Sequence, residues 1–452
     1  MAEALPPEPA VRCFLTAREG GFRLAEVAPT VLPAGEPGLP RIEVNADRTF
    51  QAIEGFGGAF TEAAAVTWLG LSTARREEVL RAYFVPSEGH GYSLCRLHMG
   101  SCDFALGNYA HVETPGDLTL ASFSVARDQQ ALIPFIKAAQ QAAGRPIKLL
   151  ASPWSPPAWM KTTGQMNQGG TLKAECRQAW ARCYVRFIEA YAAEGIPIWG
   201  VTVQNEPMAT QRWDSCLYTA EQERDFVRDH LGPALAAAGL GYIKIIIWDH
   251  NRDLMVERAA VVYADAAASR FVWGTGFHWY GEDCFDHVQQ VHEAWPDKHL
   301  LFTEGCQEGG PHSGSWDLGE RYARSLINDL NRWTEGWIDW NLLLNTEGGP
   351  NHVGNLCSAP LLAEPASDLL LWQNSYFYLG HFARFIQVGA RRIQCTPQAG
   401  GLEATACLNL DGTIAIVVLN RTDQARPFQL QIDPHRTLTT ELPPRAIATY
   451  LA

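Results

Sequence analysis

Two glutamates each follow a short apolar run that is typical of a buried strand. The first run, 199–203, leads into Asn205, Glu206 and Pro207, and the proline ends the strand because it lacks the N–H that a central strand donates. The second run leads into Glu304 and then a glycine. In a barrel of parallel strands, both carboxylates would lie at the carboxyl end, where catalytic groups gather. Two carboxyl groups across such a site are what the hydrolysis of a glycosidic bond requires.

The two glutamates are expected to have different roles. We expect Glu304 to act as the nucleophile beneath the anomeric carbon, and Glu206 to act as the general acid and base that protonates the departing oxygen. Asn205, beside the acid, is expected to hydrogen-bond the sugar 2-hydroxyl, a contact that strengthens in the transition state. Arg96, on an earlier strand, is the cation expected to keep Glu304 ionised.

Other polar and aromatic residues follow the remaining predicted strands. Tyr280 is expected to orient the nucleophile, and Asp103 to accept hydrogen bonds from two adjacent hydroxyls of a terminal sugar. Trp154 and Trp340 are expected to form walls against the sugar ring. His278 has two possible roles: it could contact the substrate, or it could be a buried, hydrogen-bonded histidine. The supporting residues predicted around the catalytic pair are Arg96, His278 and Asn345.

Eight predicted strands must position these side chains. Each is separated from the next by a stretch that is long enough for a helix, so the pattern predicts an α/β fold of the (β/α)8 barrel type. Glu206 then ends the fourth strand and Glu304 the seventh, on opposite parts of the rim. The predicted strand cores are 52–56, 92–97, 147–151, 199–203, 244–248, 272–278, 300–304 and 337–343.

Both ends of the chain have the short alternating runs of a β domain. A glycine pair separates the runs 11–16 and 22–27, and a turn at Asp411 and Gly412 opens the run 413–419. Because chain termini often lie close together, the two ends are expected to complete one β-sandwich-like side domain. The predicted boundaries are 1–50 for the N-terminal strands of that domain, 51–388 for the barrel and 389–452 for the C-terminal strands.

Composition excludes several classes of function. The 452 residues carry a net charge of −13 at pH 7, which argues against nucleic acid or an anionic membrane as a partner. No apolar run approaches the ~20 residues of a membrane-spanning helix, so no integral membrane association is expected. His98, His250 and His278 do not have metal-ligand spacing, and neither a metal nor a cofactor is expected. The segment Gly55–Phe60 lacks phosphate-loop spacing and is interpreted as a tight turn after the first strand.

Eleven cysteines are scattered without paired spacing. We expect most of them to be free buried thiols, as in a reducing compartment, with one incidental disulfide as the alternative. The first residues are acidic and rich in proline and do not resemble a signal peptide. This predicts a cytoplasmic protein if the N-terminus is the native one, and a secreted protein if a signal peptide has been removed.

Nine motifs carry a family resemblance. In chain order they are 55–62, 99–104, 151–157, 205–207, 278–280, 303–305, 340–345, 347–351 and 379–382. With these motifs in this order, the chain resembles the glucosylceramidase-type members of glycoside hydrolase family 30. Asn-Glu-Pro alone is shared by many retaining barrel hydrolases, whereas the ordered set is highly specific.

The resemblance implies a (β/α)8 barrel fused to a β-sandwich-like domain from both termini. It implies hydrolysis with retention of configuration, with Glu206 as acid and base and Glu304 as nucleophile. It also implies a small carbohydrate or glycolipid substrate, carbohydrate or sphingolipid metabolism, and a β-glucose ring rather than xylan. The residues that match those holding the terminal glucose are Asp103, Trp154, Asn205, Tyr280 and Trp340.

Departures from the family pattern leave the leaving group open. Gln204 stands where lysosomal-type enzymes tend to have Glu, and the loops 281–286 and 307–319 also differ. The first expectation is a β-glucosidase or glucosylceramidase, and the alternatives are a β-1,6-glucanase, a β-xylosidase or a β-fucosidase. An inactive carbohydrate-binding barrel is the alternative from another class, and the presence of both Glu206 and Glu304 argues against it. The sequence does not indicate an oligomeric state.

Overall fold

The computed structural model describes residues 11–33 and 38–452. They form two compact units. The first unit comprises the described residues of Met1–Glu54 with Ser315–Asn331 and Asn374–Ala452, and the second comprises Gly55–Gly314 and Arg332–Gln373. The first unit opens with the strands β1 (Arg12–Ala17), β2 (Ala25–Val27) and β3 (Arg41–Ala52).

The second unit contains a closed barrel of eight parallel strands, which confirms the predicted fold class. Strands that are neighbours in sequence pair with each other, and the last pairs with the first. The strands are β4 (Gly55–Phe60), β5 (Leu94–Met99), β6 (Lys148–Pro153), β7 (Gly200–Thr202), β8 (Lys244–Asn251), β9 (Val272–His278), β10 (His299–Glu304) and β11 (Gly336–Asn341).

The first barrel strand corrects one prediction. Gly55–Phe60, interpreted as a turn, is itself the strand β4, and the predicted core 52–56 begins too early. A Cβ atom added at Gly57 would lie 1.7 Å from the carbonyl oxygen of Leu94 on the neighbouring strand. The glycine is therefore needed for close approach of two strands, which a turn interpretation does not anticipate.

Helices alternate with these strands. The helices are α1 (Glu62–Leu69), α2 (Thr73–Phe84), α3 (Leu132–Ala143), α4 (Arg177–Ala193), α5 (Ala220–Phe226), α6 (Gly232–Ala237), α7 (Met255–Tyr263), α8 (Ala266–Ser269), α9 (Phe285–Ala294), α10 (Asp317–Leu330) and α11 (Asn374–Ala383). A π-helical turn, Val227–Leu231, joins α5 to α6. By their contacts, α10 and α11 belong to the first unit. Among the described residues, no helix has the length and apolar character needed to cross a membrane.

An apolar layer inside the barrel supports the polar residues above it. Five strands contribute one fully buried side chain each: Leu94, Leu150, Ile246, Leu301 and Ile338. Side chains of a strand alternate between the two faces, so polar residues further along the same strands also point inward. The packed layer therefore gives the polar end of the barrel a rigid floor.

A small three-stranded sheet follows the barrel in the second unit. It contains β12 (Leu343–Asn345), β13 (Leu361–Glu364) and β14 (Leu369–Trp372). Its first strand is parallel to the second, which is antiparallel to the third. The long connection between β12 and β13 contributes residues to the cavity described below.

The remaining strands complete the side domain. They are β15 (Arg391–Cys395), β16 (Gln398–Ala399), β17 (Leu402–Leu408), β18 (Ile414–Asn420), β19 (Arg426–Gln431), β20 (Thr437–Leu442) and β21 (Ala446–Leu451). The strand order is β2-β1-β21-β18-β17-β15-β3-β19-β20, so strands from both chain ends share one sheet, as predicted. All eleven cysteines lie within the described ranges and are free thiols, and ten of them are buried.

Candidate active site

A cavity of about 510 Å³ lies among the residues that end the barrel strands. It brings together seven of the ten residues predicted from the sequence. Those seven are Asp103, Trp154, Asn205, Glu206, Tyr280, Glu304 and Trp340. The other lining residues are Met208, Ala209, Gln211, Trp213, His250, Asn251, Cys306, Glu308, Asn355 and Cys357.

Arg96, on β5, is the centre of the polar network beneath the cavity. Its side chain has no solvent exposure. Nη1 donates to Glu304, and Nη2 donates to Asp249 Oδ2 at 2.7 Å and to Asn205 Oδ1 at 2.9 Å. Nε donates to Ser152 Oγ at 2.9 Å. A single guanidinium thereby fixes groups from four strands or strand ends, which a lysine with one terminal nitrogen could not do.

Two tryptophans enclose the same guanidinium. Arg96 Cζ lies 4.7 Å from the ring centroid of Trp154 and 5.7 Å from that of Trp340. The two indole rings are stacked, with centroids 5.1 Å apart and planes at 22°. Cation–π attraction compensates part of the cost of burying the charge. The predicted ring walls therefore also hold the central cation in place.

Glu304, at the end of β10, accepts hydrogen bonds on both carboxylate oxygens. Oε2 accepts from Arg96, and Oε1 accepts from the Tyr280 hydroxyl at 2.9 Å. Burial raises the pKa of Glu304, against the positive charges of His278 and Arg96. Because both oxygens face donors, this geometry suits the carboxylate form, which is the form that a nucleophile needs.

Glu206 is the first member of a three-residue chain of hydrogen bonds. Its Oε1 lies 3.2 Å from His278 Nδ1, and His278 Nε2 lies 3.0 Å from Asp249 Oδ1. Burial would lower the pKa of His278, but the charge of Glu304 and the bonds to Asp249 and Glu206 raise it to about 9. Burial would likewise raise the pKa of Glu206, but the charges of His250 and His278 lower it overall. Between Glu206 and His278 there is therefore one proton at neutral pH, held at a hydrogen-bonding distance from the carboxylate.

The backbone of Glu206 is held in an unusual conformation. Its φ of 46° lies in the left-handed region, and its N–H donates to the carbonyl of Asp249 at 3.0 Å. Asp249 itself has φ of 52° and lies at a register shift between β8 and β9. Left-handed backbone is costly for residues with a side chain and persists only where its surroundings enforce it. In these conformations the carboxylates of Glu206 and Asp249 both lie within hydrogen-bonding distance of His278.

One oxygen of Glu206, one oxygen of Glu304 and one nitrogen of His278 lie within 4.8 Å of one another. Such a cluster could in principle hold a metal ion. A metal would need a lone pair on His278, whereas its raised pKa of about 9 keeps the ring protonated at neutral pH. Arg96 already supplies positive charge to Glu304. The cluster is therefore better suited to hold a proton than a metal.

Asp103 is a further buried carboxylate that lines the cavity. Its Oδ2 accepts from the side-chain amides of Asn355 at 3.0 Å and Asn351 at 3.3 Å. Burial and the charge of Glu304 raise the pKa of Asp103 to about 7, against these two bonds. Both amides belong to the connection between β12 and β13, so this loop orients the carboxylate that faces the cavity.

Three predicted residues do not line the cavity. Arg96 and His278 lie beneath it, where they bond the two glutamates. Asn345 Oδ1 instead accepts from the backbone N–H groups of Glu347 and Gly349, at 3.1 and 2.8 Å, so its side chain organises the loop. Gln204, the departure from the family pattern, donates to the carbonyl of Trp154 at 2.7 Å, is fully buried and does not line the cavity.

Asp249 is the main residue that the sequence analysis did not assign. It has no solvent exposure, and it accepts from Arg96, His278 and Thr303, the last at 2.6 Å. It therefore links the residues that contact the nucleophile with those that contact the acid. Its place directly after an apolar run, like that of the two glutamates, was the signal that could have identified it.

Replacing Arg96 by Met is expected to lower the free energy of unfolding by about 3–5 kcal/mol, because Asp249 and Glu304 would remain buried without their cation. We expect kcat to fall by about 100-fold. The stability and kcat of Arg96→Lys should lie between those of the wild type and Arg96→Met, because lysine keeps the charge but not the planar fork. Chemical denaturation and steady-state kinetics measure the two effects. Arg81, half-exposed on α2 with ion pairs of 3.6 and 3.7 Å, is the matched control, and Arg81→Met should cost at most about 1 kcal/mol. Equal losses in both variants would contradict the central role of Arg96.

Two sequence models of known families match the chain. The Glycosyl hydrolase family 30 TIM-barrel domain matches residues 53–386. The Glycosyl hydrolase family 30 beta sandwich domain matches residues 389–450. Together the matches include both the barrel with its cavity and the C-terminal strands of the side domain.

Three individual relatives agree with these matches. Lysosomal acid glucosylceramidase of Mus musculus is 37% identical over 423 residues, which cover 90% of this chain and 82% of the relative. The crystal structure of SrfJ from Salmonella typhimurium superposes with a TM-score of 0.92 at 38% identity, and covers 98% of this chain and 99% of that one. The endo-beta1,6-glucanase BT3312 superposes with a TM-score of 0.88 at 29% identity, covering 98% of each chain. The chain therefore belongs to glycoside hydrolase family 30 and is a glycosidase acting on a carbohydrate or glycolipid.

Proposed function

We propose that this glycosidase removes a terminal β-glucosyl group with retention of configuration, through a covalent glycosyl-enzyme intermediate. The observation that carries the proposal is the approach of the two carboxylates, which have oxygens within 4.8 Å of each other. Retaining enzymes have catalytic carboxyl groups about 5–5.5 Å apart, whereas inverting enzymes leave ~6.5–9.5 Å for a water molecule. The short separation supports direct attack by one carboxylate.

In the first step, Glu304 Oε attacks the anomeric carbon and forms a C–O bond as the bond to the leaving oxygen breaks. The proton that Glu206 has in common with His278 passes through Glu206 to that oxygen, so the aglycone departs as an alcohol. Arg96 and Tyr280 hold the nucleophile in place through their bonds to its two oxygens. The fixed donors require no reorganisation as charge leaves the carboxylate.

In the second step, Glu206 acts as a base. It takes a proton from water, the water oxygen bonds to the anomeric carbon, and Glu304 leaves as a carboxylate. His278 assists both steps because the proton between it and Glu206 can be given up or taken back without crossing bulk solvent. Asp249 keeps the imidazole oriented through the bond to Nε2.

The contacts available to a sugar favour a terminal glucose-type ring. Asp103 supplies a carboxylate for two adjacent hydroxyls, and Trp154 with Trp340 supplies aromatic walls. Arg96 can only donate hydrogen bonds, so Asn205 must present its Oδ1 to the guanidinium. The amide N–H₂ of Asn205 then remains to donate to a 2-hydroxyl. The similarity to a mouse glucosylceramidase supports glucosylceramide or a simple β-glucoside as substrate.

A β-1,6-glucanase is the second candidate. BT3312, named an endo-beta1,6-glucanase, superposes over 98% of the chain. The exposed and half-buried lining residues, which mark the cavity mouth, include the polar residues Gln211, Asn251 and Glu308. Polar groups at the mouth suit a sugar as the leaving group better than they suit an acyl chain.

A substrate panel and the anomer of the first product test the proposal. We expect hydrolysis of 4-nitrophenyl β-glucoside and of glucosylceramide in detergent, with β-glucose seen first by proton NMR before mutarotation. Faster release from β-1,6-linked glucose oligomers would favour the second candidate. Initial release of α-glucose, or a clear preference for a β-xyloside or β-fucoside, would contradict the proposal.

The pH dependence of kcat/KM is expected to be bell-shaped. On the acid side, activity falls as pH drops because Glu304 and Asp103, whose pKa values burial raises, gain protons. On the basic side, activity falls as pH rises through about 9, where the Glu206–His278 pair loses its proton. In His278→Asn the carboxyl must hold the proton alone, so the basic limb should move to about pH 6–7, a usual range for a catalytic acid. A basic limb that stays near its wild-type position in this variant would contradict the shared proton.

A further inference from the structure

Two thiols lie side by side in the wall of the sugar cavity. Cys306 follows β10 two residues after Glu304, and Cys357 lies in the connection between β12 and β13. They are 1% and 2% exposed, and both line the cavity. Both belong to one cluster of buried side chains, against which Tyr280 packs. Neither thiol takes part in the mechanism proposed above.

The backbone holds the pair together. Glu308 and Cys357 form an isolated antiparallel bridge, and the N–H of Ser358 donates to the carbonyl of Gln307 at 2.8 Å. The N–H of Cys357 also donates to the carbonyl of Gly348 at 3.0 Å. Two loops from different strands are thereby joined at the point where each presents a sulfur.

The pair also contacts residues on both sides of the catalytic centre. Cys306 Sγ lies 3.5 Å from the Tyr280 hydroxyl, which donates to Glu304. Cys357 Sγ lies 3.7 Å from the carbonyl of Asn355, whose side chain donates to Asp103. A group bound between the sulfurs would therefore disturb both the nucleophile and the carboxylate that faces the sugar.

The chemistry of two thiols selects a particular class of ligand. Thiolates are soft donors and prefer soft cations, whereas Mg²⁺ and Ca²⁺ prefer oxygen. Burial raises the pKa of Cys306 well above its ordinary value, so a cation must have high affinity for sulfur to displace the proton. Cations with a filled d shell, such as Cu⁺ and Hg²⁺, accept two sulfur ligands and require no third.

We infer that Cys306 and Cys357 form a two-thiolate binding site for a thiophilic cation, which enters through the empty cavity and inhibits the enzyme. On binding, each thiol releases its proton to solvent and forms one metal–sulfur bond, and no electron is transferred. The bound cation competes with substrate because the sugar and the sulfurs share one cavity. Inhibition is reversed when a soluble dithiol removes the cation.

Mercury(II) chloride is the probe, and anomalous diffraction is the direct readout. Cys284, the one cysteine that is not buried, is first replaced by Ser so that it does not take up the probe. In crystals of this variant soaked with Hg²⁺, we expect an anomalous peak between the sulfurs of Cys306 and Cys357. A peak only at other cysteines, or no peak, would overturn the inference whether or not the enzyme hydrolyses β-glucosides.

Inhibition provides the second readout, taken relative to each variant's own activity. With one equivalent of Hg²⁺, Cys284→Ser should lose most activity on 4-nitrophenyl β-glucoside and recover it with dithiothreitol. Cys357→Val keeps an apolar side chain but removes one ligand, so inhibition should need more than about tenfold higher Hg²⁺. Cys306→Ser should behave in the same way. Equal sensitivity of all three variants would overturn the inference, whereas an absence of activity before Hg²⁺ is added would count against the proposed function instead.

Discussion

Replacing Glu304 by Ala is expected to lower kcat on β-glucosides by about 10⁵-fold, or ~7 kcal/mol of transition-state stabilisation. The proposed mechanism uses this carboxylate to form the covalent bond, and no other described carboxylate accepts from both Arg96 and Tyr280. Azide can enter the space left by the side chain and attack the anomeric carbon from the same face. We therefore expect azide to restore turnover of a dinitrophenyl β-glucoside and to give the α-glucosyl azide.

The stereochemistry of that product makes the test specific. A β-glucosyl azide from Glu304→Ala would place the nucleophile elsewhere, and near-normal turnover without azide would exclude the assigned role. Glu77→Gln is the matched control, because Glu77 is an exposed glutamate on α2, and the activity of this variant should be unchanged. Thermal unfolding of both variants separates loss of chemistry from loss of folding, since Arg96 keeps Asp249 as a partner when Glu304 is absent.

Replacing Glu206 by Ala is expected to have an effect that depends on the leaving group. For alkyl β-glucosides, whose departing oxygen needs a proton, kcat/KM should fall by about 10³–10⁴-fold. For a dinitrophenyl β-glucoside, whose leaving group departs without help, the first step should be nearly as fast as in the wild type. The intermediate should then accumulate because its hydrolysis lacks a base, and a burst of dinitrophenol should precede slow turnover.

Azide again distinguishes the two glutamates. In Glu206→Ala, azide should attack the glycosyl-enzyme from the face opposite Glu304 and release β-glucosyl azide. Mass spectrometry of the quenched enzyme should show the glucosyl group on Glu304. A uniform loss of rate across all leaving groups would contradict the role of Glu206 as acid. Glu77→Gln serves as the control here as well.

Local sequence patterns were sufficient to predict the strand ends that carry the site. Glu206 and Glu304 each follow an apolar run and precede a residue that breaks the strand, and this information lies within a few neighbouring residues. The barrel follows from the repetition of such runs with helical segments between them. Seven predicted residues line one cavity because parallel strands end on the same face of a closed barrel.

Predictions were wrong or incomplete where the outcome depended on distant residues. Gly55–Phe60 has the composition of a turn but forms a strand, since the close approach of Leu94 favours glycine there. Asn345 was predicted as a supporting residue without a stated contact, and its side chain accepts from the backbone of its own loop. Asp249 had the same local pattern as the two glutamates, yet its importance comes from Arg96 and His278, which lie on other strands.

The sequence by itself therefore determined the fold, the family resemblance and which carboxylates stand at strand ends, because hydrophobic periodicity and strand breakers are local properties. Only the tertiary structure decided that Arg96 donates to Glu304, Asp249 and Asn205, that Glu206 lies within hydrogen-bonding distance of His278, and that Cys306 and Cys357 join one buried cluster. Hydrogen bonds, burial and the pKa values that follow from them depend on distances between residues far apart in the chain. Those distances exist only once the barrel has closed.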